Sequence, residues 1–178
     1  MKEYLTQAIV LRVSPRGEFD RFLDLYTKVL GRVGARVIGG RRILSKLSPH
    51  LQDLTLTNVR LVKKGGFTVT DALVQDRLLL LKKHPSDFVK AQDLIFLIRE
   101  LVPKAAPDIR LWHEVVRALQ TSHWNFRIFL KLLGYDPVGA ACEVCGAKKV
   151  TAFYPSDQSF LCLKCSGKFP KNRLVLIG

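Results

Sequence analysis

The sequence lacks any uninterrupted apolar run approaching the ~20 residues that a membrane-spanning helix requires. Its first residues, Met1-Lys2-Glu3-Tyr4, also lack the charged-then-apolar order of a secretory signal peptide. Both absences predict a cytoplasmic protein with no membrane partner. In that compartment thiols stay reduced, so the four cysteines are not expected to form disulfides.

Recognisable enzyme motifs are also missing. No glycine-rich phosphate loop of the Walker type is present, so ATP use is not expected. The four histidines are scattered and follow no catalytic motif: His50, His84, His113 and His123. Glu18, Asp20 and Asp24 alternate in sequence and could hold the metal ions of a nuclease. Nearby arginines favour ion pairing instead, and we expect a protein that is not an enzyme.

Acidic residues are scarce. The chain has 15 Asp and Glu against 29 Lys and Arg, which gives a formal net charge of +14. Such an excess repels itself in a compact fold and usually accompanies a polyanionic partner. Nucleic acid is the first candidate because neutralising phosphates releases condensed counterions. An anionic membrane surface, or a basic face that is merely solvated, are the alternatives.

Residues 1–78 are predicted to form a β-barrel. Alternating apolar and polar residues predict five short strands, at 4–13, 19–27, 32–37, 51–63 and 67–74. Between the third and fourth strands, a polar and basic connection contains a predicted helical turn near residues 43–47. This pattern predicts a small closed barrel of the OB-fold type, with an SH3-like barrel as the nearest rival.

Residues 79–178 are predicted to form a helical domain, so the fold class is α+β with two domains. Apolar residues recur at helical spacing in three stripes, which we interpret as core packing. Ser86, Asp108 and Ser122 are the predicted helix caps, and Gly134 suits a helix end. The apolar end of the chain is expected to pack back on the body as a short strand or tail.

The four cysteines lie in a predicted zinc module at residues 139–168. They form two C-x-x-C pairs separated by sixteen residues, a length that allows a hairpin to bring the pairs together: Cys142, Cys145, Cys162 and Cys165. Gly146 suits the tight turn after the first pair. Four thiolates are a ligand set that zinc prefers, and they leave no open position for water, so one structural Zn²⁺ is predicted. A disulfide pair and an iron–sulfur cluster are weaker alternatives.

Basic residues concentrate near the N-terminus, where residues 1–65 hold 13 Lys or Arg and 5 Asp or Glu. We predict that they contact a sugar-phosphate backbone, giving sequence-tolerant and salt-sensitive binding. The candidate nucleic-acid-binding residues are Arg16, Arg21, Arg32, Arg36, Arg41, Arg42 and Lys46. Phe19, Phe22 and Tyr26 are candidate stacking planes for bases, although core packing is expected for at least two of them.

Parts of the N-terminal segment resemble the N-terminal domain of the RecO recombination mediators. The resemblance rests on residues 17–27 (GEFDRFLDLYT), Gly31-Arg32, and residues 39–42 (GGRR) with Ser45, Lys46 and Leu51. The order of barrel, helices and four-cysteine module is similar to that of the zinc-bearing members.

The resemblance implies a DNA repair and recombination function. It implies binding of single- and double-stranded DNA and annealing of complementary strands. It also implies assistance in loading the RecA recombinase, with RecR and the acidic tail of the single-stranded-DNA-binding protein as partners, and a nucleoid-associated location. A zinc-ribbon RNA-binding or ribosome-associated factor is the alternative from another class.

Overall fold

The structure is a computed structural model that describes residues 1–177. Five strands occupy the N-terminal part: β1 (Lys2–Arg16), β2 (Asp20–Thr27), β3 (Gly31–Val37), β4 (Leu56–Lys64) and β5 (Gly66–Asp76). They close into a barrel in the order β1-β2-β3-β5-β4. The β3–β5 pair is parallel and the other four pairs are antiparallel. This arrangement confirms the predicted OB-like N-terminal β-structure.

Strand alternation places one set of side chains inside the barrel. On β3, Val33, Ala35 and Val37 are buried in the barrel core, whereas Arg32 and Arg36 lie on the outer face. The predicted alternation of this strand is therefore confirmed.

The connection before β4 differs from the prediction. The helical turn is a 3₁₀ helix at Ser48–His50 rather than at residues 43–47, because Pro49 suits the first turn of a helix. The fourth strand begins at Leu56 rather than at residue 51. Leu54 has a left-handed backbone with φ of 53°, which is incompatible with a continuous strand.

Helices follow the barrel: α1 (Leu79–Lys83), α2 (Pro85–Leu101), α3 (Ile109–Thr121), α4 (Phe126–Leu132) and α5 (Leu163–Ser166). Across residues 1–177, none of them combines the length and apolar content that crossing a bilayer requires. The division into domains at 1–78 and 79–178 stays a prediction.

The predicted helix caps had mixed outcomes. Asp108 is confirmed, because its side chain accepts hydrogen bonds from two backbone N–H groups at the start of α3. Ser86 is wrong, since α2 already begins at Pro85, which tolerates the first turn because it has no N–H to leave unpaired. Ser122 is also wrong: it has a φ of 55° and ends α3, and the cap of α4 is Asn125.

A shared apolar cluster joins the barrel to the helices. It includes Ile9, Tyr26 and Leu56 from the barrel and Leu94 and Trp112 from α2 and α3, all of them buried. The barrel and the helices therefore bury part of their apolar surface against each other.

A second contact between barrel and helices is made by the backbone that follows α2. The N–H of Ala105 donates to the carbonyl oxygen of Arg32 at 2.9 Å, and Arg32 forms an isolated parallel bridge with Lys104. Gly31 permits this approach: it has a φ of 65°, and a Cβ there would lie 2.5 Å from the backbone of Ala106.

The C-terminal part contains a small sheet of β6 (Ala152–Tyr154), β7 (Ser159–Leu161) and β8 (Val175–Leu176), in the order β7-β6-β8. The hairpin predicted between the cysteine pairs is β6–β7. The predicted return of the chain end is β8, where Val175 is fully buried against the main core.

Candidate metal centre and nucleic-acid interface

The four cysteine sulfurs converge on one point. All the Sγ atoms of Cys142, Cys145, Cys162 and Cys165 lie within 4.8 Å of one another. Three of the cysteines are buried and Cys145 is exposed. The predicted clustering of these residues is therefore confirmed.

Local backbone geometry forms each half of the cluster. In the first pair, the N–H of Gly146 donates to the carbonyl oxygen of Cys142 at 2.7 Å, and Gly146 has a φ of 72°. In the second, the N–H of Ser166 donates to the carbonyl oxygen of Cys162 at 2.9 Å as α5 begins. Each tight turn directs both cysteines of its pair to the same side.

The β6–β7 hairpin brings the halves together. The N–H of Glu143 donates to the carbonyl oxygen of Phe160 on β7 at 3.0 Å, which ties the first pair to the strand that leads into the second. Ala152 and Leu161 are fully buried against the cysteines. The cluster thus has a small apolar core of its own.

Sulfur spacing fits a tetrahedral metal. The Sγ atoms of Cys145 and Cys162 are 3.7 Å apart. A Zn–S bond of ~2.3 Å in a tetrahedron gives a sulfur–sulfur separation of ~3.8 Å. A disulfide requires ~2.0 Å, so the four thiols are free and positioned as ligands.

The electrostatics of the thiols also fit a cation. Backbone N–H groups, that of Cys162 above all, lower the pKa of the Cys142 thiol to about 6. The N–H of Cys165 is the main cause of a lowered pKa at Cys162. Hydrogen bonding to Cys145, burial and the neighbouring sulfurs raise the pKa of Cys165 to about 12. A cation between the sulfurs would favour the thiolate form of this last thiol as well.

A second candidate site lies at one end of the barrel, where the β1–β2 turn meets the segment after β3. The N–H of Arg41 donates to the carbonyl oxygen of Phe19 at 2.8 Å, and its Nη1 donates to that of Gly17 at 2.9 Å. The guanidinium of Arg42 lies over the ring of Phe19, 5.4 Å from its centre. These contacts place two predicted arginines beside an aromatic ring that is 48% exposed.

The segment after β3 also forms a groove of about 890 Å³, which Lys46 lines together with Arg41 and Arg42. Ile43 and Leu44 contribute almost fully exposed side chains to it. The sequence interpretation missed this apolar component. In the sequence, the apolar part of the groove is indicated by two consecutive apolar residues, Ile43 and Leu44, in a basic loop.

Arg36 belongs to the same end of the barrel. Its Nε donates to Oδ2 of Asp20 at 2.7 Å, while half of its side chain stays exposed. The N–H of Gly39 donates to Oδ1 of Asp20 at 2.8 Å. This hydrogen bond, followed by the one from Arg36, lowers the pKa of Asp20. Asp20 therefore joins β2 to the segment after β3.

Arg16 and Arg21 lie nearby. The guanidinium of Arg16 lies over the ring of Phe22, 5.3 Å from its centre. Arg21 is half-buried with its stem beside Gly40. We call the residues at this end of the barrel the basic end; its members are Arg16, Arg21, Arg36, Arg41, Arg42, Lys46 and Phe19.

Arg32 lies apart from the basic end. Its Nε and Nη2 donate to the two oxygens of Asp24 at 3.1 and 3.0 Å, and its Nη1 donates to the carbonyl oxygen of Arg99. Only 17% of its side chain is exposed. The predicted pairing of Asp20 and Asp24 with arginines is thus confirmed, and both carboxylates are engaged in ion pairs.

The three candidate stacking aromatics have different environments. Tyr26 is fully buried against the helices, Phe22 is half-buried, and Phe19 is exposed. Core packing was expected for at least two of the three, and it is complete only for Tyr26.

Taken together, the fold is that of a basic OB-like barrel protein that carries helices and a four-cysteine cluster able to hold a metal ion. Residues 1–73 match the family model described as Recombination protein O N terminal. Among curated proteins, the chain is 28% identical to the DNA repair protein RecO of Thermodesulfovibrio yellowstonii, over 93% of this chain and 71% of that protein.

Two other relatives carry the same name. The chain is 29% identical to the DNA repair protein RecO of a Roseiflexus species, over 92% of this chain and 62% of the relative. It is 30% identical to that of Heliobacterium modesticaldum, over 82% of this chain and 57% of the relative. The chain is therefore similar to RecO proteins over most of its own length, and its matches span between 57% and 71% of these three relatives.

Proposed function

We propose that this chain is a DNA-binding factor of DNA repair and recombination that binds single- and double-stranded DNA and anneals complementary strands. The observation that carries the proposal is the basic end of a barrel whose sequence matches the RecO N-terminal family. Basic side chains gathered on one surface create the positive potential that attracts a polyanion.

At the basic end, the arginines and Lys46 contact phosphates, which gives affinity without a sequence code. Phe19 offers an exposed ring on which an unpaired base can stack, and the guanidinium of Arg42 lies over the same ring. Strand annealing follows from this chemistry, because neutralised phosphates allow two complementary strands to approach each other.

Arg32 has a different role in this proposal from the one predicted. Its donors are occupied by Asp24 and by the Arg99 carbonyl oxygen, so it positions those groups rather than leading the contact with DNA.

The cysteine cluster holds one structural Zn²⁺ in this proposal. The donor set, the sulfur spacing and the burial of three of the four ligands support this choice. Four protein ligands leave no position for a substrate, so the metal stabilises the C-terminal part and takes no part in chemistry.

Similarity to the RecO proteins supports three further proposals. They are partnership with RecR, contact with the acidic tail of the single-stranded-DNA-binding protein, and assistance in loading RecA. We also propose a cytoplasmic, nucleoid-associated location on the same ground. Each concerns an activity of the whole relatives, of which this chain matches only a part.

An annealing assay tests the central proposal. Complementary labelled single strands are mixed with the protein across a salt series, and the rate of duplex formation and the binding affinity are measured. We expect faster annealing, with binding that weakens steeply as salt rises. Absence of both effects would contradict the proposal.

The same titration with structured RNA separates the rival class. A strong preference for RNA over DNA would favour an RNA-binding or ribosome-associated factor. Metal-dependent cleavage of DNA that is lost in Asp20→Ala and Asp24→Ala would instead favour a nuclease.

A further inference from the structure

A second positively charged surface lies where the barrel meets the end of α2. It is a cleft of about 390 Å³. Its polar and charged lining residues are Arg12, Ser14, Asp24, Arg32, Arg99 and Lys104. Three of these, Arg12, Arg99 and Lys104, are not among the predicted nucleic-acid-binding residues. We call this cleft the junction cleft.

The barrel forms the floor of the junction cleft. Arg12 on β1 pairs in register with Asp24 on β2, and Asp24 pairs in register with Gly34 on β3. The three residues therefore form one row across the outer face of the sheet. Because Gly34 has no side chain, the tip of the Phe22 ring can approach it closely; a Cβ on Gly34 would lie 2.5 Å from Cζ of Phe22.

The helical part forms the wall. Arg99 comes from the last turn of α2, and Lys104 comes from the segment that is hydrogen-bonded to β3 through Ala105 and Arg32. The cleft exists only because this segment is held against the barrel.

Charge in the junction cleft is unbalanced, with four cationic side chains facing one carboxylate. Asp24 is bonded by Arg32, while Arg99 Nε is 3.5 Å from Oδ2 of Asp24. Within residues 1–177, Arg99 Nε is buried and has no hydrogen-bond partner. In the same range, neither Arg12 nor Lys104 forms an ion pair. Arg12 and Lys104 are thus available to an anion, whereas Arg32 and Arg99 share the one carboxylate of Asp24.

We propose that the junction cleft binds a backbone phosphate of a nucleic-acid strand that runs on from the basic end. The inference rests on the proposed DNA binding and adds a contact outside the predicted residues. Arg32 lines the junction cleft and Arg36 belongs to the basic end. The two residues lie on one face of β3, four residues apart, so the two sites are separated by ~13 Å along the strand. That distance corresponds to about four base steps of ~3.4 Å.

A phosphate fits this lining better than an acidic peptide does. Peptide recognition relies on apolar anchors that fill pockets, and Phe22 is the one large apolar side chain among the lining residues. Guanidinium groups, in contrast, match the oxygen geometry of a phosphate.

The test uses Arg12→Gln with Lys104→Gln, two exposed side chains that make no ion pair in the described part of the chain. The matched control is Lys82→Gln with Lys83→Gln, which removes the same charge on α1. Binding of labelled single-stranded DNA is measured across a salt series. We expect roughly tenfold weaker binding and a salt slope reduced by about 1 in the cleft variant relative to the control.

Inorganic phosphate is the second probe. In a titration followed by amide NMR, we expect shifts at Asp24, Gly34 and Ala105 in the wild type and the control but not in the cleft variant. Equal DNA affinity and salt slope in the two variants would overturn the inference, and the proposed function would stand if both still bind DNA.

Two other outcomes would also overturn the inference. One is a phosphate response in the cleft without any loss of DNA affinity in the cleft variant, which would indicate a free-anion site. The other is binding of an acidic peptide that needs Arg12 and Lys104 while DNA affinity is unchanged, which would assign the cleft to a protein partner. If the wild type binds no DNA at all, the proposed function fails together with the inference.

Discussion

The ring of Tyr26, on barrel strand β2, lies against the indole of Trp112 on α3, with ring centres 5.5 Å apart and planes inclined at 48°. Tyr26 is fully buried and Trp112 is 2% exposed. Because aromatic pairs of this kind bury large apolar surfaces, the barrel and the helices stabilise each other at this contact.

Replacing Trp112 with Ala should therefore destabilise the whole chain. We expect a loss of about 3–5 kcal/mol in the free energy of unfolding, as for other buried aromatic side chains. Urea unfolding followed by circular dichroism measures it. Two separate transitions, one for the barrel and one for the helices, already present in the wild type would contradict the coupling.

Tyr26→Phe is the matched control, because it keeps the ring against Trp112 and removes only the hydroxyl. That hydroxyl is buried with no hydrogen-bond partner among residues 1–177. Since an unsatisfied buried polar group costs stability, we expect this variant to be as stable as the wild type or up to about 1 kcal/mol more stable.

Asp93 on α2 predicts a pH dependence of stability. Burial raises the pKa of its carboxyl from 3.8 to about 6. The folded state therefore binds this proton more tightly than the unfolded state does, so protonation of Asp93 stabilises the fold. That stabilisation is fully present below pH ~4 and is lost as the pH rises through about 6. Asp93→Asn should remove the loss. Because the side chain is half-exposed, we expect a gain of only about 1 kcal/mol at pH 7.

Thermal unfolding at pH 4 and at pH 7 measures the effect of Asp93→Asn. The gain should be small at pH 4 and larger at pH 7. Asp157→Asn, at an exposed position in the β6–β7 turn, is the control for loss of one negative charge. An equal gain at both pH values would show that Asp93 does not titrate as the structure indicates.

The cysteine cluster should bind about one zinc ion per chain by elemental analysis. Cys142→Ser removes a buried ligand, and we expect it to lower the free energy of unfolding by several kcal/mol because metal binding is coupled to folding. Val144→Ser changes an exposed non-ligand in the same turn and should have little effect. Full stability after chelation would contradict a structural metal.

Acidification should release the metal, since protons compete with it for the thiolates. At neutral pH, Cys142→Ser should change the free energy of DNA binding by less than it changes the free energy of unfolding. A loss of DNA affinity larger than the fraction of unfolded protein accounts for would indicate that the metal module contacts DNA directly.

Charge reversal at the basic end should lower DNA affinity and leave stability almost unchanged, the opposite of the result expected for Cys142→Ser. Arg41→Glu with Arg42→Glu is expected to weaken DNA binding by more than tenfold, with repulsion added to the lost phosphate contacts. The melting temperature should change little, because both side chains are exposed. Lys82→Glu with Lys83→Glu makes the same change of net charge on α1, and equal losses of affinity would show that the basic end has no special role.

Much of the barrel and the whole cysteine cluster could be predicted from the sequence because both depend on local patterns. Val33, Ala35 and Val37 alternate with polar residues, and the spacing of the C-x-x-C pairs limits where the sulfurs can go. Tight turns and a hairpin then suffice to form the site.

Other features depend on contacts that are distant in sequence. Arg32 was predicted to face DNA, but it is bonded to Arg99, which is 67 residues away and carries no local signal. Ser122 and Asn125 are both capping residue types, and which of them caps α4 depends on how α3 ends in the fold. The sequence pattern could not distinguish them.

The backbone contact between Arg32 and Ala105 has a consequence for self-association. β3 pairs with β5 at only two positions, Ala35 with Phe67 and Arg36 with Thr68. The first half of its outer edge is covered by the segment after α2. Uncovered strand edges recruit strands from other molecules. A fragment that ends at Asp76 would expose this edge together with Tyr26, so we expect it to aggregate more readily than the full chain.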